Sequence, residues 1–226
     1  MNQAVSKFIG VDVQVARQCP YAVLDRDGNS VTSGWLPDGR DLAVRALRGV
    51  IDRQSDGGAS GIAVGIDSPR MALAAPRQWY WDGKKAKWRG RRSSDRGHGR
   101  HCEIVIAAHR LANPQWTPES DAAPAWMQLG FALFAGLADL GHVHEVFPSA
   151  SYSQLAGTDP VQCRVSLGQF APGPKDMLDA YVAAATAREY VQQRGQAIGG
   201  GDGYGEIVLP RPLSNVVEGV LQWPDV

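Results

Sequence analysis

The sequence has few cysteines and no long hydrophobic run. Its 226 residues include three widely spaced cysteines, Cys19, Cys102 and Cys163. This odd, scattered set excludes the disulfide framework of a small secreted protein. No apolar segment reaches the roughly 20 residues that a transmembrane helix needs, and the N-terminus shows no secretory signal pattern. These absences predict a cytoplasmic protein with no membrane partner.

An excess of one charge is also absent, because 23 Lys and Arg balance 23 Asp and Glu. Residues 77–101 are the exception, with nine Lys or Arg against two Asp. The length of the chain predicts one domain over residues 1–226. Within it we expect a basic, aromatic insertion at about residues 77–101 and a proline-rich tail from about residue 210.

Hydrophobic patterns predict strands and helices in the order β-β-β-α-β-α-β-α. An Asp-Gly turn joins two of the opening strands, which form an antiparallel meander. Residues 61–67 are nearly all apolar, as in a strand buried in a parallel sheet. Residues 195–205 are predicted as a glycine-rich loop and residues 206–209 as a short strand. The order predicts an α/β fold with a central mixed five-stranded sheet, three antiparallel strands and then parallel ones, flanked by helices. Right-handed crossovers place the first strand parallel to the fourth.

Acidic residues stand at the ends of several predicted elements. Asp12 and Asp67 end the first and fourth strands, and Glu145 lies near the end of the next strand. Asp176 and Asp179 are three residues apart at the start of a helix, so they share one face. Because the carboxyl ends of parallel strands meet at one edge of the sheet, these five carboxylates are predicted to converge as catalytic residues.

Converging carboxylates repel one another unless a counter-charge lies between them. Hard oxygen donors without a Cys/His set suit Mg²⁺ or Mn²⁺ rather than zinc. Two such ions about 4 Å apart stabilise the attacking and leaving oxygens of a phosphodiester displacement. The predicted metal ligands are Asp12, Asp67, Asp176 and Asp179.

Each carboxylate also has a structural interpretation. Asp12 caps the turn after its strand, and Asp67 initiates a turn before Ser-Pro. Glu145 is a strand carboxylate paired with an arginine or with His144. An isolated Asp-x-x-Asp is a solvated helix start. Only the joint placement of these residues at one edge favours a metal site.

The basic insertion contains three tryptophans and a tyrosine among its nine cations. Positive charge follows phosphates, and aromatic faces stack on unpaired bases. The alternative is a solvated, basic loop. The insertion follows Asp67 closely, which places it beside the predicted site. The predicted nucleic-acid-binding residues are Lys84, Lys85, Lys87, Trp88, Arg89, Arg91 and Arg92.

Four short motifs carry a family resemblance. They are Phe8-Ile9-Gly10-Val11-Asp12, Val64-Gly65-Ile66-Asp67-Ser68-Pro69, Glu145-Val146-Phe147-Pro148 and Lys175-Asp176-x-x-Asp179-Ala180. In order and spacing they resemble the family catalogued as domain of unknown function 429, which is described as predicted RNase H-like nucleases. The resemblance implies an RNase H-like fold and a two-metal carboxylate site. Asp12 would then be the first-strand ligand, Asp67 the middle-strand ligand, and Asp176 or Asp179 the last-helix ligand.

Three functional hypotheses follow from these residues. The first is a Mg²⁺- or Mn²⁺-dependent nuclease. The second is a catalytically inactive RNase H-like module that binds nucleic acid or a partner, favoured by Ser149 where family members tend to carry a further Glu. The third, and weakest, is a phosphotransferase of the related actin and sugar-kinase architecture, which typically needs two such domains and Gly-rich phosphate loops.

Overall fold

The computed structural model describes residues 4–55, 61–155 and 174–224, which form a sheet with helices on both faces. The elements in chain order are β1 (Lys7–Asp12), β2 (Pro20–Asp25), β3 (Ser30–Trp35), α1 (Arg40–Gln54), β4 (Ile62–Asp67), β5 (Trp79–Asp82), β6 (Lys87–Gly90), α2 (His101–Ala108), α3 (Ala125–Gly136), β7 (Val143–Val146), α4 (Pro148–Leu155), α5 (Pro174–Val191), β8 (Gln196–Gly199), β9 (Glu206–Leu209) and α6 (Glu218–Leu221).

One mixed sheet of seven strands organises the described chain, in the order β3-β2-β1-β4-β7-β9-β8. The first three strands form the predicted antiparallel meander. β1, β4, β7 and β9 run parallel, and β1 pairs with β4 along its whole length. The α/β class, the mixed sheet and the pairing of the first and fourth strands are therefore confirmed. The predicted number of five strands is wrong.

The strand β8 lies where the sequence predicts a glycine-rich loop. It pairs antiparallel with β9, with Gln196 opposite Leu209 and Gly199 opposite Glu206. Gly199 and Gly200 have φ angles of 89° and 82°, which glycine adopts without steric cost. These glycines form the turn that follows a short strand, and β8 becomes the far edge of the sheet.

Helix α5 crosses one face of the sheet at short range. A Cβ added to Gly10 of β1 would lie 1.9 Å from the carbonyl oxygen of Ala180, and one added to Gly65 of β4 would lie 2.6 Å from that of Ala183. Glycine in both strands and alanine in the helix permit this approach, which no larger side chain allows. The contact fixes the start of α5 beside the carboxyl ends of β1 and β4.

The opposite face is covered by α1 and α3, whose apolar residues share a core cluster with β1, β2 and β4. Residues 77–101 contain a two-stranded hairpin, β5–β6, in which Trp81 lies opposite Trp88. The predicted proline-rich tail contains the short helix α6, and Trp223 after it packs against Trp88 at 5.1 Å between ring centroids.

None of the described helices combines the length and the apolar character needed to span a membrane. Cys19 and Cys102 are free and buried, and Cys163 lies outside the described residues. The prediction of a single domain over residues 1–226 stays a prediction.

Candidate active site

Asp12 and Asp67 lie side by side at the ends of two neighbouring parallel strands. They are the last residues of β1 and β4 and are paired in register. Paired residues on adjacent strands are about 4.8 Å apart and point to the same face, so the two carboxylates open into the same space. That space is a cleft of about 410 Å³ at the carboxyl edge of the sheet. Ser68, Pro69 and Trp126 also line it.

Helix α5 brings a third carboxylate to the cleft. Asp179 stands one residue before Ala180, which packs on Gly10, and it is only 7% exposed. The Tyr152 hydroxyl donates to Asp179 Oδ1 at 2.5 Å, and the Lys175 ammonium donates to Oδ2. The helical register therefore provides both the acid and, four residues earlier, a cation that partly balances it.

Burial, followed by repulsion from neighbouring acids, raises the pKa values of Asp12 and Asp67. The pKa of Asp12 rises to about 7, chiefly through burial and then through the charges of Asp179 and Asp176. The pKa of Asp67 lies well above its usual range, again through burial first and then through Asp12, Asp179 and Glu145. Lys175 acts in the opposite direction on both groups. The structure thus brings Asp12, Asp67 and Asp179 within strong electrostatic reach of one another.

Asp176 lies at the rim beside this group. Its Oδ2 accepts a hydrogen bond from Gln14 Nε2 at 3.2 Å and forms an ion pair with Arg17 at 2.8 Å. Gln14 belongs to the loop after β1, so the contact joins that loop to the start of α5. Asp176 is held near Asp12 but already has an exposed cation as its partner.

Glu145 also lines the cleft, but its carboxylate has different partners. Both of its oxygens accept hydrogen bonds from the Arg100 guanidinium, and Oε2 also accepts from the Arg70 backbone N–H at 2.8 Å. Arg100 in turn binds Glu103, which accepts from the Thr117 hydroxyl and backbone N–H. Burial raises the pKa of Glu145, and Arg100 opposes that rise. The geometry is that of a buried ion pair, as in the structural interpretation of Glu145.

Three residues of this region were assigned no role from the sequence: Arg100, Glu103 and Lys175. Lys175 carries a readable signal, since a Lys four residues before an Asp on a helix forms an ion pair. Arg100 and Glu103 are also three residues apart. Nothing local connects either of them to Glu145, because Arg100 and Glu145 are 45 positions apart.

A direct metal cage is not formed by the side-chain positions described. Within residues 4–55, 61–155 and 174–224, no three Asp, Glu, His or Cys side chains are arranged to hold an ion. The two carboxylates of α5 are instead directed at other side chains. Asp179 points at Lys175 and Tyr152, and Asp176 points at Arg17 and Gln14.

The predicted nucleic-acid-binding residues divide into two groups. Trp88 and Arg89 make internal contacts, Trp88 with the C-terminal segment and Arg89 with Asp95. The remaining five are exposed to solvent: Lys84, Lys85, Lys87, Arg91 and Arg92.

No family model, curated protein or solved structure matches this chain. The family resemblance therefore stays a prediction based on its four motifs.

Proposed function

We propose that this chain is a metal-dependent phosphodiester hydrolase that acts on nucleic acid and has an RNase H-like fold. One observation carries the proposal. The pairing of β1 with β4 sets Asp12 beside Asp67, and Asp179 of α5 is close enough to raise the pKa of both. Burying like charges together costs stability, so such groupings are concentrated at functional sites.

The order of the strands supports the fold in this proposal. Three antiparallel strands are followed in the sheet by parallel ones, with the first strand next to the fourth. A helix that carries two acids packs across that pair of strands. The same elements hold the motifs that resemble domain of unknown function 429.

The donor chemistry of the cleft fits Mg²⁺ or Mn²⁺. Asp12, Asp67 and Asp179 offer hard carboxylate oxygens. The pKa values of Asp12 and Asp67 are raised first by burial and then by neighbouring negative charge, which Lys175 only partly balances. When bound, such an ion supplies Lewis acidity and lowers the pKa of an attacking water. Asp12 and Asp67 would hold it, with Asp179 joining when its oxygen exchanges Lys175 for the ion. The Lys175 side chain is 75% exposed, so its displacement into solvent costs little.

Protons and metal ions compete for Asp12. With a pKa of about 7, this carboxyl holds its proton over much of the acidic range. A metal ligand must be deprotonated, so ion binding releases that proton and becomes tighter as the pH rises through about 7. Near neutral pH the carboxylate is therefore poised to exchange its proton for a cation.

Glu145 acts as a positioning residue in this proposal. Its carboxylate fixes Arg100 at the wall of the cleft and binds the Arg70 backbone N–H in the loop that follows Asp67. That loop also contains Ser68 and Pro69, which line the cleft. The predicted catalytic role of Glu145 would require one of its oxygens to leave a buried arginine, which is costly.

A second candidate function is a nucleic-acid-binding module without catalysis. The observation that favours it is the occupation of both acids of α5, Asp179 by Lys175 and Asp176 by Arg17. If these cations neutralise the site permanently, no metal ion is needed. Ser149, in place of the further family Glu, is consistent with that alternative.

The two candidates are separated by Mn²⁺ titration and by hydrolysis. We would measure Mn²⁺ binding by calorimetry, and cleavage of bis(p-nitrophenyl) phosphate, labelled DNA and labelled RNA, for the wild type, Asp12→Asn and Asp67→Asn. Both variants should lose Mn²⁺-dependent hydrolysis by at least about 100-fold, since each removes a ligand charge. Circular dichroism would show whether the fold is kept.

Two further variants complete the experiment. Asp52→Asn removes an exposed carboxylate of α1 and should leave both readouts unchanged. Glu145→Gln should lower thermal stability while Mn²⁺ affinity stays within about tenfold of the wild type. Absence of Mn²⁺ binding by the wild-type protein, together with binding of nucleic acid, would select the second candidate. Full activity in Asp12→Asn would refute the proposed site.

A further inference from the structure

The cations of the basic insertion are not equivalent. Three of the nine face inward. Arg77 lies over the Tyr80 ring at 4.0 Å and the Trp116 ring at 5.2 Å, Arg89 pairs with Asp95 at 2.7 Å, and Arg100 is buried against Glu145. The other six are exposed, and no carboxylate among the described residues forms an ion pair with them. They are Lys84, Lys85, Lys87, Arg91, Arg92 and Arg96. We call residues 79–96 the basic hairpin.

The aromatic residues of the basic hairpin are largely engaged within the protein. Trp88 makes edge contacts with Trp81 at 5.4 Å and with Trp223 at 5.1 Å, and its indole N–H donates to the Gly219 carbonyl at 2.8 Å. His101 lies against Trp88 at 5.9 Å. These contacts occupy part of the ring surface of Trp81 and Trp88, which leaves less of each ring for stacking on unpaired bases.

Tyr80 is engaged as well. The guanidinium groups of Arg77 and Arg89 lie over its ring, at 4.0 and 4.7 Å from the ring centroid. Its hydroxyl accepts a hydrogen bond from the Gly97 backbone N–H at 2.8 Å. Only Trp79, which is half-buried, has no such ring contact among the described residues.

The basic hairpin is attached to the wall of the cleft. The Gly99 backbone N–H donates to the Thr117 carbonyl at 2.7 Å. The Arg77 backbone N–H donates to the Gly97 carbonyl at 2.7 Å. Thr117 binds Glu103, which lines the cleft together with Pro114 and Gln115. Because its base is fixed by backbone and aromatic contacts, the hairpin presents its cations without the cost of ordering a free loop.

We propose that the basic hairpin binds the phosphate backbone of a nucleic acid through its exposed cations and does not stack on the bases. The identity of the partner rests on the proposed function, since a phosphodiester substrate of the cleft supplies the phosphates. Lysine ammonium groups and exposed guanidinium groups are suited to phosphate oxygens. A surface with this charge, on which Trp79 is the one described hairpin ring without such a ring contact, is suited to the backbone and carries no base information.

Backbone contact has consequences that distinguish it from stacking. Duplex and single strands should both bind, without sequence preference and with dissociation constants on the order of 1–100 µM at physiological salt. Each phosphate contact adds about 0.9 to the slope of log K against log salt concentration on duplex DNA. Stacking instead favours single strands, and removing the aromatic residue weakens their binding by roughly 5- to 150-fold per base.

The experiment measures binding without hydrolysis. Fluorescence anisotropy of labelled duplex DNA, single-stranded DNA and single-stranded RNA would be recorded in EDTA across a series of salt concentrations. Replacing Lys84, Lys85 and Lys87 together by Gln should lower the salt slope on duplex DNA by about two to three and weaken binding to every probe. Because the assay needs no metal ion, its result does not depend on whether the cleft is catalytic.

The matched control replaces three exposed arginines elsewhere, Arg26, Arg45 and Arg53, by Gln. This variant should keep the wild-type salt slope. Trp79→Ala should change single-strand binding by less than about twofold, which is below the effect of losing one stacked base. The proposal is overturned if the lysine variant binds like the wild type, if only single strands bind and Trp79→Ala abolishes that binding, or if no probe binds at low salt.

Discussion

Two groups of carboxylate–cation pairs in this protein differ in how far the cation is exposed to solvent. In the wall of the cleft, Arg100 and Glu145 are 1% and 2% exposed at their side chains. Asp179 in the cleft and Asp176 at its rim are partnered by Lys175 and Arg17, whose side chains are 75% and 58% exposed. A buried cation cannot leave without its partner carboxylate remaining as an unpaired charge in the protein interior. An exposed cation can instead move into water. The difference indicates that Asp176 and Asp179 can exchange partners and that Glu145 cannot.

The largest expected effect tests the buried pair. Arg100→Met leaves Glu145 and Glu103 without their shared cation, and we expect a loss of about 3–5 kcal/mol in the free energy of unfolding. The measurement is urea denaturation in EDTA at neutral pH. Arg100→Lys keeps the charge but loses the bidentate geometry, so its loss should be smaller.

Arg17→Met is the matched rim variant. It removes an exposed cation from Asp176 and should change the free energy of unfolding by no more than about 1 kcal/mol. Equal losses in Arg17→Met and Arg100→Met would remove the distinction between rim and interior.

A smaller effect on the free energy of unfolding, which depends on pH, tests the raised pKa of Asp12. The pKa of Asp12 rises from 3.8 to about 7 in the folded chain. Between these two values the folded state holds a proton that the unfolded state has lost. The free energy of unfolding of the metal-free protein therefore falls as the pH rises across this window and levels off above about 7.

Asp12→Asn removes this titration. Allowing for solvent screening, we expect the variant to be more stable than the wild type by about 2 kcal/mol at about pH 8, or about 4–8 °C in Tm, with much less difference near pH 4. Thermal melts in EDTA would measure this, with Asp52→Asn as a control that should show no such trend. A constant difference at every pH would indicate that Asp12 is not crowded by other acids.

The smallest expected effect concerns the exposed ammonium. Lys175→Met removes a cation that competes with a metal ion for Asp179, so Mn²⁺ should bind about two- to fivefold more tightly in calorimetry. The metal-free protein should lose no more than about 1 kcal/mol of stability. Weaker Mn²⁺ binding would instead mean that Lys175 organises the site for the ion.

Much of the scaffold was readable from local pattern. The order of the elements, joined by right-handed crossovers, predicted that β1 lies parallel to β4, which sets Asp12 beside Asp67. The start of α5 was readable because Pro174 opens the helix and Asp176 and Asp179 follow on one face. The strand β8 was not readable, since a four-residue segment flanked by glycines gains strand geometry only from pairing with β9.

The amino-acid sequence alone determined which residues carry charge and where elements such as β4 and α5 lie, because propensity, periodicity and turn chemistry act over a few neighbouring residues. Tertiary structure decided which charged side chains form ion pairs and which stay exposed to solvent. It paired Arg100 with Glu145, packed Trp88 against Trp223, and left Lys84, Lys85 and Lys87 in solvent. Those choices depend on packing between segments far apart in the chain, where burial sets the cost of every unpaired group.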